Sequence, residues 1–280
     1  MRDGFENEAR IFKPQAAQQS AGRPLVVLVY GGGFITGDNN SPTPYAKPIA
    51  HLYDAIVVSI SYRMTPEFKF PVQAHDVWDN LQWIAKNASR IGADPSAGFV
   101  LGGESAGGNV AAVAAAMAQT DRLELPLTGL WLSVPWLLNE APKGYEEFYQ
   151  AREQNANAAM INNEVLSMVK RMWCPDFASK NFSPFNNLDV IDDEHPTTYI
   201  QVCGLDPLRD DGLIYGRVLD ERGVKTKFDL YPGVPHAHWA MFPSIEASKK
   251  GMVDAVINIG WLLGKQVERE DIHESLGKLA

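Results

Sequence analysis

The residues able to do chemistry fall in four short stretches punctuated by glycine or proline. The sharpest is Gly102-Gly103-Glu104-Ser105-Ala106-Gly107-Gly108. A serine hydroxyl becomes a useful nucleophile when it is held clear of its surroundings beside a base. A tight strand-to-helix turn does the holding, and small residues at Gly103 and Gly107 relieve the clashes such a turn creates. The helix that follows adds a field favouring developing negative charge. A second stretch, Gly31-Gly32-Gly33-Phe34, would let backbone N–H groups approach a ligand. Each such donor aimed at an oxyanion is worth about 2.7–4 kcal/mol of barrier. This stretch lacks the Lys and Ser/Thr of a phosphate-binding loop and the spacing of a dinucleotide fingerprint.

The third stretch is Gly204-Leu205-Asp206-Pro207-Leu208-Arg209-Asp210. A carboxylate at the end of a strand can orient a histidine and stabilise its imidazolium. Asp210 and Asp211 compete with Asp206 for that role, but they are expected to cap the helix that follows. The fourth is Tyr231-Pro232-Gly233-Val234-Pro235-His236-Ala237-His238-Trp239. Either histidine, on a loop after a late strand, could serve as a general base. An H-x-H pair could also bind a metal, but no carboxylate or cysteine cluster in the sequence supports that. No metal and no cofactor is expected.

Placing these stretches requires alternating strands and helices. Apolar runs at 25–29, 55–60, 98–101, 129–134, 198–203 and 227–231 read as strands. Most lack clean alternation, as strands covered on both faces do. Helical patterns fill 72–88, 109–119, 212–222 (ended by Gly223) and 253–263. The implied architecture is α/β, a mostly parallel sheet flanked by helices. Residues 137–196 break the rhythm with polar, Asn-rich and helical segments, including an amphipathic helix over 164–173. They are expected to form a helical lid inserted into a single domain spanning 1–280.

Composition narrows the function. The chain has 280 residues, 45% of them hydrophobic and 21% charged, with a formal charge of -9. That acidic balance argues against nucleic acid or an anionic membrane as the main partner. Two cysteines, Cys174 and Cys203, are too few for a disulfide framework. They are expected to be reduced, with Cys203 a core thiol. No run suits a transmembrane helix, and the polar start of the chain is unlike a secretory leader, so a cytoplasmic location is expected. His51, His75, His195 and His273 are expected at the surface or at helix ends.

With these residues in hand, the sequence resembles the hormone-sensitive lipase family of α/β-hydrolase carboxylesterases, in its fungal or microbial form. That family carries an HGGG motif and a GDSAGG elbow, and its chain order is Ser, Asp, His. Ser61-Tyr62-Arg63-Met64-Thr65-Pro66-Glu67 and Asn109 are also family-like. The likeness runs from about Arg10 to Trp261. It implies Ser105 as nucleophile, Asp206 as orienting acid and His236, rather than His238, as base. It further implies an oxyanion hole from the backbone N–H groups of Gly32, Gly33 and Ala106, and a possible homodimer through a sheet edge.

Phe34, Trp136, Leu137, His238 and Trp239, with Met168 and Met172, are candidate walls of an apolar substrate pocket. The expected function is hydrolysis of a small or medium-sized carboxylic ester through an acyl-enzyme, with a secondary-metabolite ester or lactone as a candidate substrate. Amidase, thioesterase and transacylase readings use the same triad. A non-catalytic small-molecule receptor, like the plant gibberellin receptor, would have lost the triad histidine, and here both candidate histidines are present.

Three positions depart from the family pattern. Tyr30 stands where the HGGG histidine belongs, Glu104 replaces the elbow Asp, and little precedes Ile11 where the family has a helical cap segment. The last implies a reduced lid and a more open site, or a shortened chain.

Overall fold

The computed structural model describes residues 1–14, 22–121 and 123–277. Among the described residues, seven strands form one sheet: β1 (Ala9–Phe12), β2 (Leu25–Val29), β3 (Ile56–Ile60), β4 (Phe99–Glu104), β5 (Gly129–Ser133), β6 (Thr197–Leu205) and β7 (Thr226–Pro235), in the order β1-β3-β2-β4-β5-β6-β7. All neighbouring pairs are parallel except β1 with β3. Chain order reverses between β2 and β4, with β3 on one side and β5 to β7 on the other. The crevice outside the carboxyl ends at such a point is where open α/β sheets bind ligands.

The helices are α1 (Thr43–Leu52), α2 (Val72–Ile91), α3 (Ala106–Thr120), α4 (Ala151–Gln154), α5 (Asn163–Trp173), α6 (Arg209–Glu221), α7 (His238–Met241), α8 (Glu246–Leu262) and α9 (Arg269–Gly277). Alternation along β2 divides the core. Leu25, Val27 and Val29 pack against α2, α3 and α6 on one face. Val26 and Leu28 pack against α1, α8 and α9 on the other. Every residue of β2, β3 and β5 is buried, which is why these strands read as solid apolar runs. No helix among the described residues is long and apolar enough to cross a membrane.

All six expected strands form, and three run further than expected, β4 to Glu104, β6 to Leu205 and β7 to Pro235. Sequence patterning missed β1, α1 and α9. β1 is four residues long and mostly exposed, so it offers no apolar run. α1 contains Pro44 and Pro48, which count against a helix. Between β5 and β6, residues 137–196 form α4, α5 and 3-10 turns and contribute no strand.

Candidate active site

Parallel pairing sets Val29 of β2 opposite Gly103 of β4. The glycine run after β2 and the serine after β4 therefore emerge side by side. Ser105 has φ 53° and ψ -114°, a conformation that L-residues pay to adopt. The turn around it needs glycine. A Cβ on Gly103 would lie 2.2 Å from the Gly107 carbonyl oxygen, and one on Gly107 would lie 2.3 Å from that of Val29. Ser105 N–H donates to Ser133 O at 2.8 Å, and its carbonyl accepts from Trp136 N–H at 3.4 Å. The elbow is thus tied to β5 on one side and to the chain leaving β5 on the other.

The glycine loop is closed on itself. Gly32 O accepts from the N–H groups of Ile35 and Thr36, each at 3.0 Å. Gly32 has φ 121°, and a Cβ there would sit 2.1 Å from Thr36 O. Gly33 has φ 62°, and the space its Cβ would take is bordered by Val169 at 3.3 Å. Ala106 opens α3, where backbone N–H groups have no acceptor within the helix.

Tyr30, in the place of the motif histidine, exchanges hydrogen bonds with Tyr62. Each phenol donates to the other's backbone carbonyl, at 3.2 and 3.1 Å. The rings stack with centroids 4.5 Å apart. Beyond the loop, Phe34 stacks on Trp173 of α5 at 4.0 Å. Trp173 in turn donates to Gln73 at 3.1 Å, its carbonyl accepts from Phe70 N–H at 3.0 Å, and Met172 O accepts from Thr65 Oγ1 at 2.6 Å. The carboxyl end of α5 is therefore anchored to the body of the protein.

The carboxyl ends of β6 and β7 bring the remaining groups. His236 Nε2 lies 2.9 Å from Ser105 Oγ. His236 Nδ1 lies 2.7 Å from Asp206 Oδ2. Asp206 is fully buried, and its other oxygen accepts from Leu208 N–H at 2.8 Å. Asn155, just past α4, donates to the carbonyl oxygens of Asp206 and Gly204 at 3.0 and 3.3 Å. Of the two candidate histidines, His236 is the one beside Ser105. His238 is buried with its Nδ1 3.5 Å from the thiol of Cys203.

Several expected roles are redirected. Asp210 and Asp211 lie in the first turn of α6 but do not cap it. The Asp210 carboxylate accepts from Gln150 and Ala151 N–H, both at 2.6 Å. Asp211 accepts from Leu137 and Leu138 N–H at 2.8 and 2.9 Å and pairs with Arg152 at 3.2 Å. Burial pushes the Asp211 carboxyl up to about 6, against the pull of Arg152. The two carboxylates thus hold the segment after β5. His195, expected at the surface, is 4% exposed. It precedes β6, with Nδ1 3.2 Å from Pro196 O and Nε2 3.5 Å from the Tyr215 hydroxyl.

Among the candidate walls, Phe34, Trp136 and Leu137 are buried in the same cluster as Trp173, and Met168 faces outward. Trp239 packs on the opposite face of the sheet, against Tyr231 and His238. Its indole N–H donates to Glu104 at 2.7 Å. Sequence reasoning missed Asn155, the Tyr30–Tyr62 pair and the Glu104–Trp239 bond. Of these, Tyr30 and Glu104 carried a signal, each as a departure from a motif, and Asn155 carried none.

Comparison with known proteins agrees with this fold. A model of the alpha/beta hydrolase fold matches residues 26–240. The chain is 33% identical to an AB hydrolase superfamily protein of Schizosaccharomyces pombe, over 96% of this chain and 79% of that one. It is 31% identical to the carboxylesterase NlhH of Mycobacterium tuberculosis, over 82% of this chain and 70% of that one. The solved structure of vibralactone cyclase superposes with a TM-score of 0.88 at 32% identity, covering 94% of this chain and 78% of that one. The esterase of Pyrobaculum calidifontis superposes at 0.77 with 28% identity, covering 91% and 80%. The chain belongs to the hormone-sensitive lipase-like family of α/β-hydrolases and is a carboxylesterase-type hydrolase.

Proposed function

We propose that Ser105, His236 and Asp206 act as a catalytic triad that hydrolyses a carboxylic ester of small or medium size. The observation that carries this reading is the unbroken chain from Ser105 Oγ to His236 at 2.9 Å and on to Asp206 at 2.7 Å. His236 removes the hydroxyl proton as Ser105 attacks the ester carbonyl. Asp206 holds the imidazole tautomer and stabilises the imidazolium that forms. The backbone N–H groups of Gly32, Gly33 and Ala106 receive the oxyanion. His236 then protonates the departing alcohol, and water opens the acyl-enzyme by the reverse sequence. Residues 137–196 act as the cover of the site and supply much of its apolar wall. Stacking of Phe34 on Trp173 supports an apolar acyl group on that side.

A second reading has one supporting observation. A solved neighbour is named a cyclase, and a hydroxyl on the acyl chain can open an acyl-enzyme in place of water. Both readings share the acylation step and differ in product.

The test is hydrolysis of p-nitrophenyl esters of increasing chain length, by wild type and by Ser105→Ala. Turnover should favour short or medium chains and fall by about 10³-fold or more in the variant. Equal rates for the two proteins would sink the triad assignment. Rapid release of p-nitrophenol without free acid would favour transfer over hydrolysis.

A further inference from the structure

We propose that Glu104 is a positioning residue for the base: with Trp239 it braces the His236 loop against the nucleophile elbow and presents a second negative charge to the imidazolium. The proposal rests on the triad reading above. Glu104 ends β4, directly before Ser105. Trp239 lies three residues beyond His236, in α7. Their hydrogen bond, at 2.7 Å, joins the two turns that must stay in register for proton transfer. Ala237 between them has φ 45°, so the histidine turn is strained and needs an external hold. Trp239 supplies it, since its ring fills the space that a Cβ on Gly251 of α8 would need, 2.8 Å away. Pulling the indole free would open the core on that face.

The electrostatic part follows from position. Glu104 directly precedes Ser105, whose hydroxyl lies 2.9 Å from His236, and its carboxyl is bonded to Trp239, three residues beyond that histidine. Burial pushes the Glu104 carboxyl above its usual range, while the Trp239 bond and His236 pull it back. A cavity of about 30 Å³ beside it, bounded by Gly31, Ser41 and Tyr45 among others, has room for a water to solvate the carboxylate.

The other groups around this arm either stay neutral or are already matched. Burial raises the Cys203 thiol and the Tyr45 and Tyr231 phenols, and it lowers His238. Asp206 faces the far side of the imidazole, with the Asp211–Arg152 pair behind it. Glu104 is thus the carboxyl bonded to the His236 loop from the elbow side.

The test is the pH profile of kcat/KM for ester hydrolysis, and of Ser105 labelling by a fluorophosphonate, in wild type, Glu104→Gln and Glu104→Asp. Gln keeps an acceptor for the Trp239 N–H and removes the charge. Its acid limb should move to lower pH by about one unit, with plateau kcat falling about tenfold and the melting temperature little changed. Glu104→Asp should keep the limb at the wild-type position. A Gln profile that superimposes on wild type, or equal plateau losses in both variants with no movement of the limb, would overturn the proposal while leaving the triad intact. Wild type that neither hydrolyses esters nor takes the label would remove the triad reading itself, and this proposal with it.

Discussion

The two halves of the site are held by different forces. On the β2–β4 side, shape is set by backbone. Gly103 fits against Gly107 O, Gly107 against Val29 O, and Gly32 against Thr36 O, all at separations no Cβ could survive. On the β6–β7 side, shape is set by side chains in relay. His236 leans on Asp206, Asp206 on Leu208 N–H and Asn155, and Trp239 on Glu104. A backbone-defined site tolerates no added atom but needs little charge. A relay tolerates changes of volume better, and it is sensitive to protonation and to the loss of any single partner. This difference sorts the expected consequences of substitution.

The largest effect belongs to the backbone side. Gly107→Ala would drive a methyl into two backbone carbonyls of the chain leaving β2, at 2.3 Å from Val29 O and 2.4 Å from Tyr30 O. Retreat of the first would disturb the pairing of β2 with β4, and retreat of the second the hydrogen bond it accepts from the Tyr62 hydroxyl. The expected cost is about 3 kcal/mol or more of stability, with esterase activity lost along with the elbow. Thermal unfolding and ester turnover read both. A Gly107→Ala protein that keeps the wild-type melting temperature and kcat would mean that the elbow is not fixed by packing.

The same contrast explains what the sequence disclosed. Backbone-defined geometry forces particular residue types into neighbouring positions. The three-glycine run and the serine flanked by glycines were therefore readable, along with the strand ends that carry them. Strands buried on both faces were readable for a similar reason, because burial demands continuous apolar runs. The relay leaves weaker marks. Asn155 is 51 residues from Asp206, and Trp239 is 135 from Glu104, so no local spacing links them. Asp210 and Asp211 looked like helix caps because acidic residues in a first turn usually are. Their carboxylates instead reach a segment 59 to 74 residues away. Trp239 looked like a pocket wall because an aromatic next to a reactive histidine invites that reading. The fold places it behind the histidine, where its N–H carries the contact.

The relay side should respond to acid. Burial holds His195, just ahead of β6, down at about 4 from an ordinary 6.5. The unfolded chain therefore binds a proton there before the folded one does. Stability from this group is fully present above about pH 6.5 and is lost as pH falls toward 4. The full shift corresponds to at most about 3 kcal/mol. Melting temperature followed from pH 7 to pH 4 should drop more steeply in wild type than in His195→Gln. Parallel curves would show that His195 is solvated in solution and that acid sensitivity arises in other groups. Between pH 7 and 6.5 the two curves should already begin to separate, which distinguishes this group from carboxylates that titrate lower.

The smallest effect tests whether the backbone side needs its one side-chain clasp. Tyr30→Phe removes the hydroxyl that donates to Tyr62 O at 3.2 Å and leaves the stacked rings and the reciprocal bond in place. The lost bond and the unsatisfied carbonyl should cost about 1 kcal/mol, or about 2–4 °C in melting temperature for a chain of this size. If the loop is shaped by Gly32, Gly33 and the turn closed on Gly32 O, kcat should change no more than about twofold. Tyr62→Phe should behave alike, because the two bonds mirror each other. Two residues in direct contact do not add simply, so the double variant reports the coupling between them. A fall in kcat of about a hundredfold in either single variant would instead make the tyrosine pair part of the machinery that aims the oxyanion donors. The β2 side would then be a relay as well, with Tyr30 doing through its hydroxyl what a histidine does elsewhere in the family.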